Sequence, residues 1–211
     1  MQGLPVVGDC WALEPAEVMA LRPTLVIGSV PFKTETVGRL LEHPVTFLAK
    51  NPRTIEDIYN DIALLGAITH REAAAQKTIH IMQREFAALA RKARRFRSKP
   101  RVYCEAWSNP RISSPPWVAE LTRIAGGRFA VPAGLRVTDE QVAAAKPHVI
   151  LLAWAAVGAK SKPETALANP TWQTVPAVRN QRVRIIRDEL LNTPAPILTQ
   201  GARALFDAIH N

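Results

Sequence analysis

A helix end, a proline and an apolar strand follow one another at two places in this chain, and this repeat constrains the fold more than any other sequence feature. In the first copy, Ala16 to Leu21 is typical of a helix end, and Pro23 stops that helix. Residues 24–29 then form a short apolar run, which indicates a buried strand. In the second copy, residues 140–147 lead into a similar apolar run at 148–153. Each copy predicts a helix that passes directly into a buried strand.

The two copies align without gaps, which favours an internal duplication. The aligned pairs are Val18 with Val142, Ala20 with Ala144, Arg22 with Lys146, Pro23 with Pro147, and Leu25-Val26 with Val149-Ile150. A helix followed by proline and a strand is also a common arrangement in α/β proteins. The number of matched positions nevertheless favours duplication of layout, so we expect two lobes of like topology.

Further strands and helix starts alternate along the rest of the chain. Strands are predicted at 45–48, 101–106 and 183–186. Thr54 is suited to begin one helix, and Thr138 begins another through a capping box. Alternating strands and helices predict an α/β fold, with two Rossmann-like lobes whose sheets are mostly parallel.

A long segment without glycine or proline, Thr69 to Arg95, separates the two copies. Its apolar residues recur every three or four positions, as expected for one stripe on a long helix: Ile79, Met82, Phe86 and Leu89. A helix of this length would span roughly 40 Å and would be a stiff connection. We therefore predict an N-terminal lobe at 1–68, a connecting backbone helix at 69–97 and a C-terminal lobe at 98–211.

Composition excludes several classes of protein. With 47% hydrophobic and 21% charged residues, the chain is typical of a folded globular protein. Much of its net charge of +9 lies in one basic run, residues 91–101, which is typical of a solvated helix end; a nucleic-acid binder is the alternative. Cys10 and Cys104 form no CxxC pair and predict neither a zinc site nor a redox motif.

The first residues do not predict export or anchoring. Met1 to Pro5 lacks the basic start and apolar stretch of a secretion signal, and no run of about 18 apolar residues occurs. From these residues alone, the chain as written is expected to remain in the cytoplasm.

Aromatic residues mark the loops that follow the predicted strands. Because ligands bind beyond the carboxyl ends of strands in open α/β sheets, these loops are the candidate ligand site. The candidate ligand-binding residues are Phe32, Trp107, Asn109, Trp117 and Trp154. Trp117 opens a predicted helix, so a structural role is equally compatible with its position; Trp11 and Trp172 are interpreted as structural.

No motif for catalysis or metal binding occurs in the sequence. The five histidines are scattered, and neither an HExxH nor a GxSxG motif nor a glycine-rich phosphate loop is present. We predict no catalytic residue, no metal ligand and no catalytic cofactor. An enzyme on a similar two-lobed scaffold is the less favoured alternative.

Four stretches of the chain resemble the periplasmic cobalamin and ferric-siderophore binding proteins, the ABC importer receptors whose two lobes are joined by one backbone helix. These stretches are residues 20–27, residues 102–110, residues 117–127 and residues 188–196. The second and the last are most similar to the cobalamin-binding branch. The resemblance implies a periplasmic protein that is not an enzyme and that delivers cobalamin or a related corrinoid to a permease.

The resemblance also assigns roles to individual residues. It implies that Glu35 and Glu189, one on each lobe, dock on the permease of an inner-membrane importer. It further implies that the first lobe lacks the N-terminal segment of the family. A ferric siderophore or haem is the alternative ligand, but such anionic ligands call for convergent cations, and only Lys33, Arg111 and Lys160 lie in the predicted loops.

Overall fold

The computed structural model of the chain describes residues 3–8, 13–29, 33–154 and 163–211. It divides into two compact units, Met1–Asn51 and Pro52–Asn211. Both units contain parallel strands and helices, which confirms the predicted two-lobed α/β class. These units are defined by packing, and the boundaries of the functional lobes, after residues 68 and 97, stay a prediction.

The first unit is built on a two-stranded parallel sheet. Its elements are α1 (Pro15–Ala20), β1 (Leu25–Ser29), α2 (Thr34–Leu41) and β2 (Thr46–Lys50). Leu25 lies opposite Thr46, and Ser29 lies opposite Lys50. Both strands predicted in this part of the sequence are confirmed, with ends that differ by one or two residues.

The second unit holds a five-stranded sheet covered by helices. Its helices are α3 (Ile55–Ile68), α4 (Glu72–Ala93), α5 (Pro116–Ile124), α6 (Asp139–Ala145), α7 (Pro163–Leu167), α8 (Pro176–Arg179) and α9 (Leu198–His210). Its strands are β3 (Arg101–Ser108), β4 (Arg111–Ser113), β5 (Arg128–Phe129), β6 (Val149–Leu152) and β7 (Val183–Ile185). The order is β4-β3-β6-β7, with β5 paired to β3. Among the described strands of this sheet, all pairs are parallel except β3 with β4.

The two central strands are buried on both faces, which explains their continuous apolar sequences. One face of β3 and β6 packs with α4, α5 and α9 through Val102, Cys104, Val149 and Leu151. The other face belongs to a second core cluster through Tyr103, Ile150 and Leu152. Burial raises the pKa of the Cys104 thiol to about 12, so this cysteine is protonated and unreactive. Cys10 lies outside the described residues.

The predicted long helix is present as α4 but is shorter than expected. It has 22 residues, or about 33 Å, since the chain turns at His70, whose φ is +55°, before α4 begins, and the helix ends at Ala93. Of its predicted apolar stripe, Ile79, Met82 and Phe86 are buried and Leu89 is partly buried. Residues 91–99 of the basic run are exposed except for Ala93, which confirms the predicted solvated helix end. None of the described helices is long and apolar enough to cross a membrane.

A capping box begins α3 at the predicted threonine. The Thr54 hydroxyl accepts the Asp57 N–H at 3.0 Å, and the Asp57 carboxylate accepts the N–H groups of Arg53 at 2.8 Å and Thr54 at 2.9 Å. The hydrogen bond from the Arg53 N–H, together with the backbone and side-chain hydrogen bonds of Thr54, lowers the pKa of Asp57 from 3.8. Since the lowered value belongs to the folded state, this contribution to stability is present above pH 3.8 and is lost as pH falls through the folded pKa.

We expect Thr54→Ala to lower the free energy of unfolding by about 1 kcal/mol, because α3 loses its cap. The stability difference between wild type and Asp57→Asn should shrink as pH falls below 3.8. Urea denaturation at pH 7 and pH 3 measures both effects. Thr78→Ala is the matched control, since the Thr78 hydroxyl donates to the Ala74 carbonyl within α4 and caps nothing. Equal losses for the two threonine variants would contradict the capping role.

Candidate functional site

The candidate site lies where β3, β6 and β7 end. Because these three strands are parallel, their carboxyl ends meet at one edge of the sheet, which we call the carboxyl edge. Trp107 lies near the end of β3, and Trp154 lies just beyond β6. Glu189 follows β7 in a 3-10 turn, Asp188–Leu190. The structure therefore brings two predicted tryptophans to the edge at which α/β sheets bind ligands.

Trp107 projects from the end of β3 with 41% of its surface exposed. Its indole N–H donates to the backbone oxygen of Asn109 at 2.8 Å, and Asn109 is exposed in the turn before β4. A bulge between Glu105 and Trp107 shifts the register of β3 against β4. Such bulges re-aim side chains beside binding sites. Since the indole N–H is its one donor and is already bonded within the protein, the Trp107 side chain has no further polar group.

Trp154 is half-buried, and its indole N–H is bonded to a buried carboxylate. The N–H donates to Oε1 of Glu105 at 2.8 Å. Oε2 of Glu105 accepts the Tyr103 hydroxyl at 2.6 Å and Nη1 of Arg111 at 2.5 Å. Burial, and then the charge of Glu105, raises the pKa of Tyr103, so its hydroxyl remains a neutral donor. Three donors therefore satisfy a carboxylate that is fully buried.

Arg111 links Glu105 to a second carboxylate. Its Nε donates to Oδ1 of Asp139 at 2.9 Å, and its guanidinium lies 4.4 Å from the centre of the Trp172 ring. Burial alone would lower the pKa of Arg111, but the nearby carboxylates, chiefly that of Glu105, raise it above its usual value. Two carboxylates face one guanidinium, so this group has one net negative charge.

We call this group the Glu105 cluster and define it as Tyr103, Glu105, Arg111, Asp139 and Trp154. Sequence analysis did not select Tyr103, Glu105 or Asp139. The available signal was a glutamate inside the apolar strand β3, because an acidic residue is rarely buried without a partner. The described residues contain no group of three or more His, Cys, Asp or Glu side chains that could hold a metal ion.

Trp117 is placed in the core and not at an open surface. It is 6% exposed, and its indole N–H donates to the Leu191 carbonyl at 2.8 Å. Its ring packs in the cluster shared with α9, so the structure gives it an anchoring position. Trp172 is fully buried, as its structural interpretation predicted, and donates to the Asp139 carbonyl at 3.1 Å.

The two predicted docking carboxylates lie in different units. Glu35 is exposed in the first turn of α2. Glu189 has 44% of its side chain exposed and pairs with Arg187 at 2.9 Å. Burial, and then the charge of Glu189, raises the pKa of the neighbouring Asp188. Phe32 and Lys160 lie outside the described residues.

A family model described as "Periplasmic binding protein" matches residues 4–190 of the chain. A search of curated proteins finds no match. Among solved structures, the chain is similar to the periplasmic heme-binding protein BhuT in complex with two hemes. The two share 23% identity and a TM-score of 0.81, over 99% of this chain and 84% of that one.

Two further solved structures have the same fold. A periplasmic heme-binding protein from Pseudomonas aeruginosa has 21% identity and a TM-score of 0.83, over 98% of this chain and 79% of that one. The periplasmic vitamin B12 binding protein BtuF of Vibrio cholerae has 19% identity and a TM-score of 0.72, over 98% of this chain and 81% of that one. At these identities the likeness shows the fold and leaves the ligand open.

Proposed function

The chain belongs to the periplasmic binding protein family, and from this premise we propose that it is the substrate-binding component of an ABC importer that delivers cobalamin or a related corrinoid to its permease. Family membership makes the chain a binding protein and not an enzyme, as predicted. The family is one of periplasmic proteins, so we place this function in the periplasm.

The pairing of Arg111 supports a ligand without carboxylates. The guanidinium donates from Nη1 to Glu105 and from Nε to Asp139 and lies over the ring of Trp172, so its charge is already paired within the protein. The cluster's net negative charge would also repel the two propionates of haem or an anionic ferric chelate. Cobalamin has amide side chains around its corrin ring, and these place no carboxylate near the cluster.

The two tryptophans at the carboxyl edge support recognition through ring surfaces. The indole N–H groups of Trp107 and Trp154 are bonded within the protein. What remains for a ligand is a pair of aromatic surfaces, which favour large, flat and partly apolar molecules. A corrinoid fits this description, with Asn109 as an exposed amide beside it.

A tryptophan-fluorescence titration with cyanocobalamin, corrected for absorbance by the ligand, tests the proposal. Saturable quenching at micromolar or lower concentration is the expected result, with weaker binding of ferric hydroxamate and of haem. Tighter binding of haem would replace the corrinoid with a porphyrin as ligand. No response to any of the three from the folded chain would contradict the proposed function.

Trp107→Ala and Trp154→Ala are each expected to weaken cobalamin binding about tenfold, because each removes an aromatic contact surface. Equilibrium dialysis measures the affinity, and circular dichroism checks that the fold is intact. Leu64→Ala is the control, since Leu64 is an exposed apolar residue of α3 and does not follow a strand. Unchanged affinity in both tryptophan variants would remove them from the site.

Charge reversal at Glu35 and Glu189 is expected to abolish import while leaving cobalamin affinity unchanged. Exposed carboxylates on the two units would pair with basic residues of the permease, and lysines in their place would repel it. Cellular uptake of labelled cobalamin measures import. Glu72→Lys, in the first turn of α4, is a matched control. Normal uptake by the double variant would end the docking assignment.

A further inference from the structure

We propose that Glu105 is a positioning residue, whose buried carboxylate fixes the orientation of the Trp154 ring at the carboxyl edge. The inference rests on the proposed function where it assigns Trp154 a contact with the ligand. The orientation itself is a property of the ligand-free protein.

The two oxygens of the Glu105 carboxylate have different hydrogen-bond partners. Oε2 takes both the Tyr103 hydroxyl and Arg111, which prevents the carboxylate from rotating. Oε1 is thereby held in one place, and among the described residues it accepts the indole N–H of Trp154 at 2.8 Å. An aromatic ring bonded at one edge to a fixed oxygen loses most of its freedom about χ1 and χ2.

The backbone beside Trp154 is anchored to the same residue. The Ala153 N–H donates to the backbone oxygen of Glu105 at 2.8 Å, one register step beyond the pair of Glu105 with Leu152. The Ala153 carbonyl accepts Nδ2 of Asn192 at 2.7 Å. Main chain and side chain of Glu105 therefore hold neighbouring points of the segment that carries Trp154.

The pattern of bonds is not what ion pairing alone would produce. An arginine that serves only to neutralise a carboxylate commonly binds both of its oxygens. Here Arg111 binds Oε2 and turns its Nε to Asp139, which leaves Oε1 to the indole. Buried ion pairs also add little net stability compared with apolar residues of similar size, so stability alone gives little reason for an acidic residue at this position.

The test is the nitrogen-15 spectrum of the tryptophan side chains in the full-length chain. Trp154→Phe identifies the Trp154 indole signal by its disappearance. In wild type we expect that signal to lie downfield and to exchange slowly with solvent. In Glu105→Gln we expect it to move upfield and exchange faster, with cyanocobalamin binding about tenfold weaker, since a bond to a charged acceptor is lost.

Thr122→Val is the matched control, because Thr122 is also fully buried and its hydroxyl donates to the Val118 carbonyl within α5. It should lose stability without moving the Trp154 signal or the affinity. If Glu105→Gln does not fold, Tyr103→Phe removes one bond to Oε2 without changing charge, and should shift the same signal by less.

An unmoved Trp154 signal in Glu105→Gln, or a moved signal with unchanged affinity, would overturn the positioning role. If wild type binds none of the offered ligands, the proposed function fails, and the Trp154 signal in the free protein still decides whether Glu105 orients the ring.

Discussion

Gly201→Ala should lower the free energy of unfolding by about 3 kcal/mol, although alanine normally stabilises a helix interior relative to glycine by about 1 kcal/mol. Gly201 lies inside α9, where the helix passes over the turn at Asp188–Leu190. A Cβ at this position would lie 1.9 Å from the Leu190 carbonyl oxygen and 3.0 Å from Cδ2 of Leu191. A backbone oxygen cannot move aside cheaply, so the helix or the turn must shift.

The control for Gly201→Ala is Gly38→Ala in α2, where a Cβ would meet no atom within 4 Å. This second substitution should be neutral or slightly stabilising. Thermal unfolding measures both, and the Gly201 variant should lose roughly 6–12 °C in Tm. Equal changes in Tm for the two variants would show that α9 can shift away from the Leu190 carbonyl oxygen without loss of stability.

Gly201→Ala should also change the packing of residues next to the candidate site. Leu191 accepts the Trp117 indole N–H, and Glu189 lies in the turn that the new methyl group would push. We therefore expect the Trp117 environment, seen in near-ultraviolet circular dichroism, to change along with stability.

Much of the fold could be predicted because it depends on local signals. Arg22 and Lys146, which align in the two sequence copies, both have left-handed backbones, with φ of +50° and +46°. Each lies before a proline, which disfavours the right-handed helical conformation at the preceding residue. The sequence repeat is therefore also a repeat of backbone conformation, since the residue before each proline leaves the right-handed helical region for the left-handed one.

The Glu105 cluster could not be predicted, because its members meet only through tertiary structure. Arg111 lies in a loop of the sequence and was interpreted as a possible cation for an anionic ligand. The hairpin of β3 with β4 places it beside Glu105, and the start of α6 brings Asp139 to its Nε. Neither contact follows from spacing or periodicity, and together they pair the charge of Arg111 within the protein.

Trp117 illustrates the same limit at a single residue. An aromatic residue at the start of a helix suits a ligand contact and a core anchor equally well. The structure favours the core anchor because the indole N–H donates to the carbonyl of Leu191, which is distant in sequence.

Arg111→Met should lower the free energy of unfolding by about 3–5 kcal/mol, because it leaves the Glu105 charge buried without a cation. Methionine keeps much of the apolar stem of arginine, so the loss is not caused by a cavity. Urea unfolding of the full-length chain measures it. The control is Arg203→Met, which breaks a pair with Glu85 in which the arginine side chain is 58% exposed. We expect that loss to be below about 1 kcal/mol.

A double-mutant cycle distinguishes two roles for Arg111, neutralisation of Glu105 and binding of an anionic ligand. If its role is to neutralise Glu105, adding Glu105→Gln to Arg111→Met should recover part of the stability, and the two losses will not add. If Arg111 were instead a free cation for an anionic ligand, Arg111→Met would leave stability nearly unchanged and weaken haem binding. The first result favours a ligand without carboxylates, while the second would return a porphyrin or ferric chelate to first place, because Arg111 would then be available to pair with its negative charge.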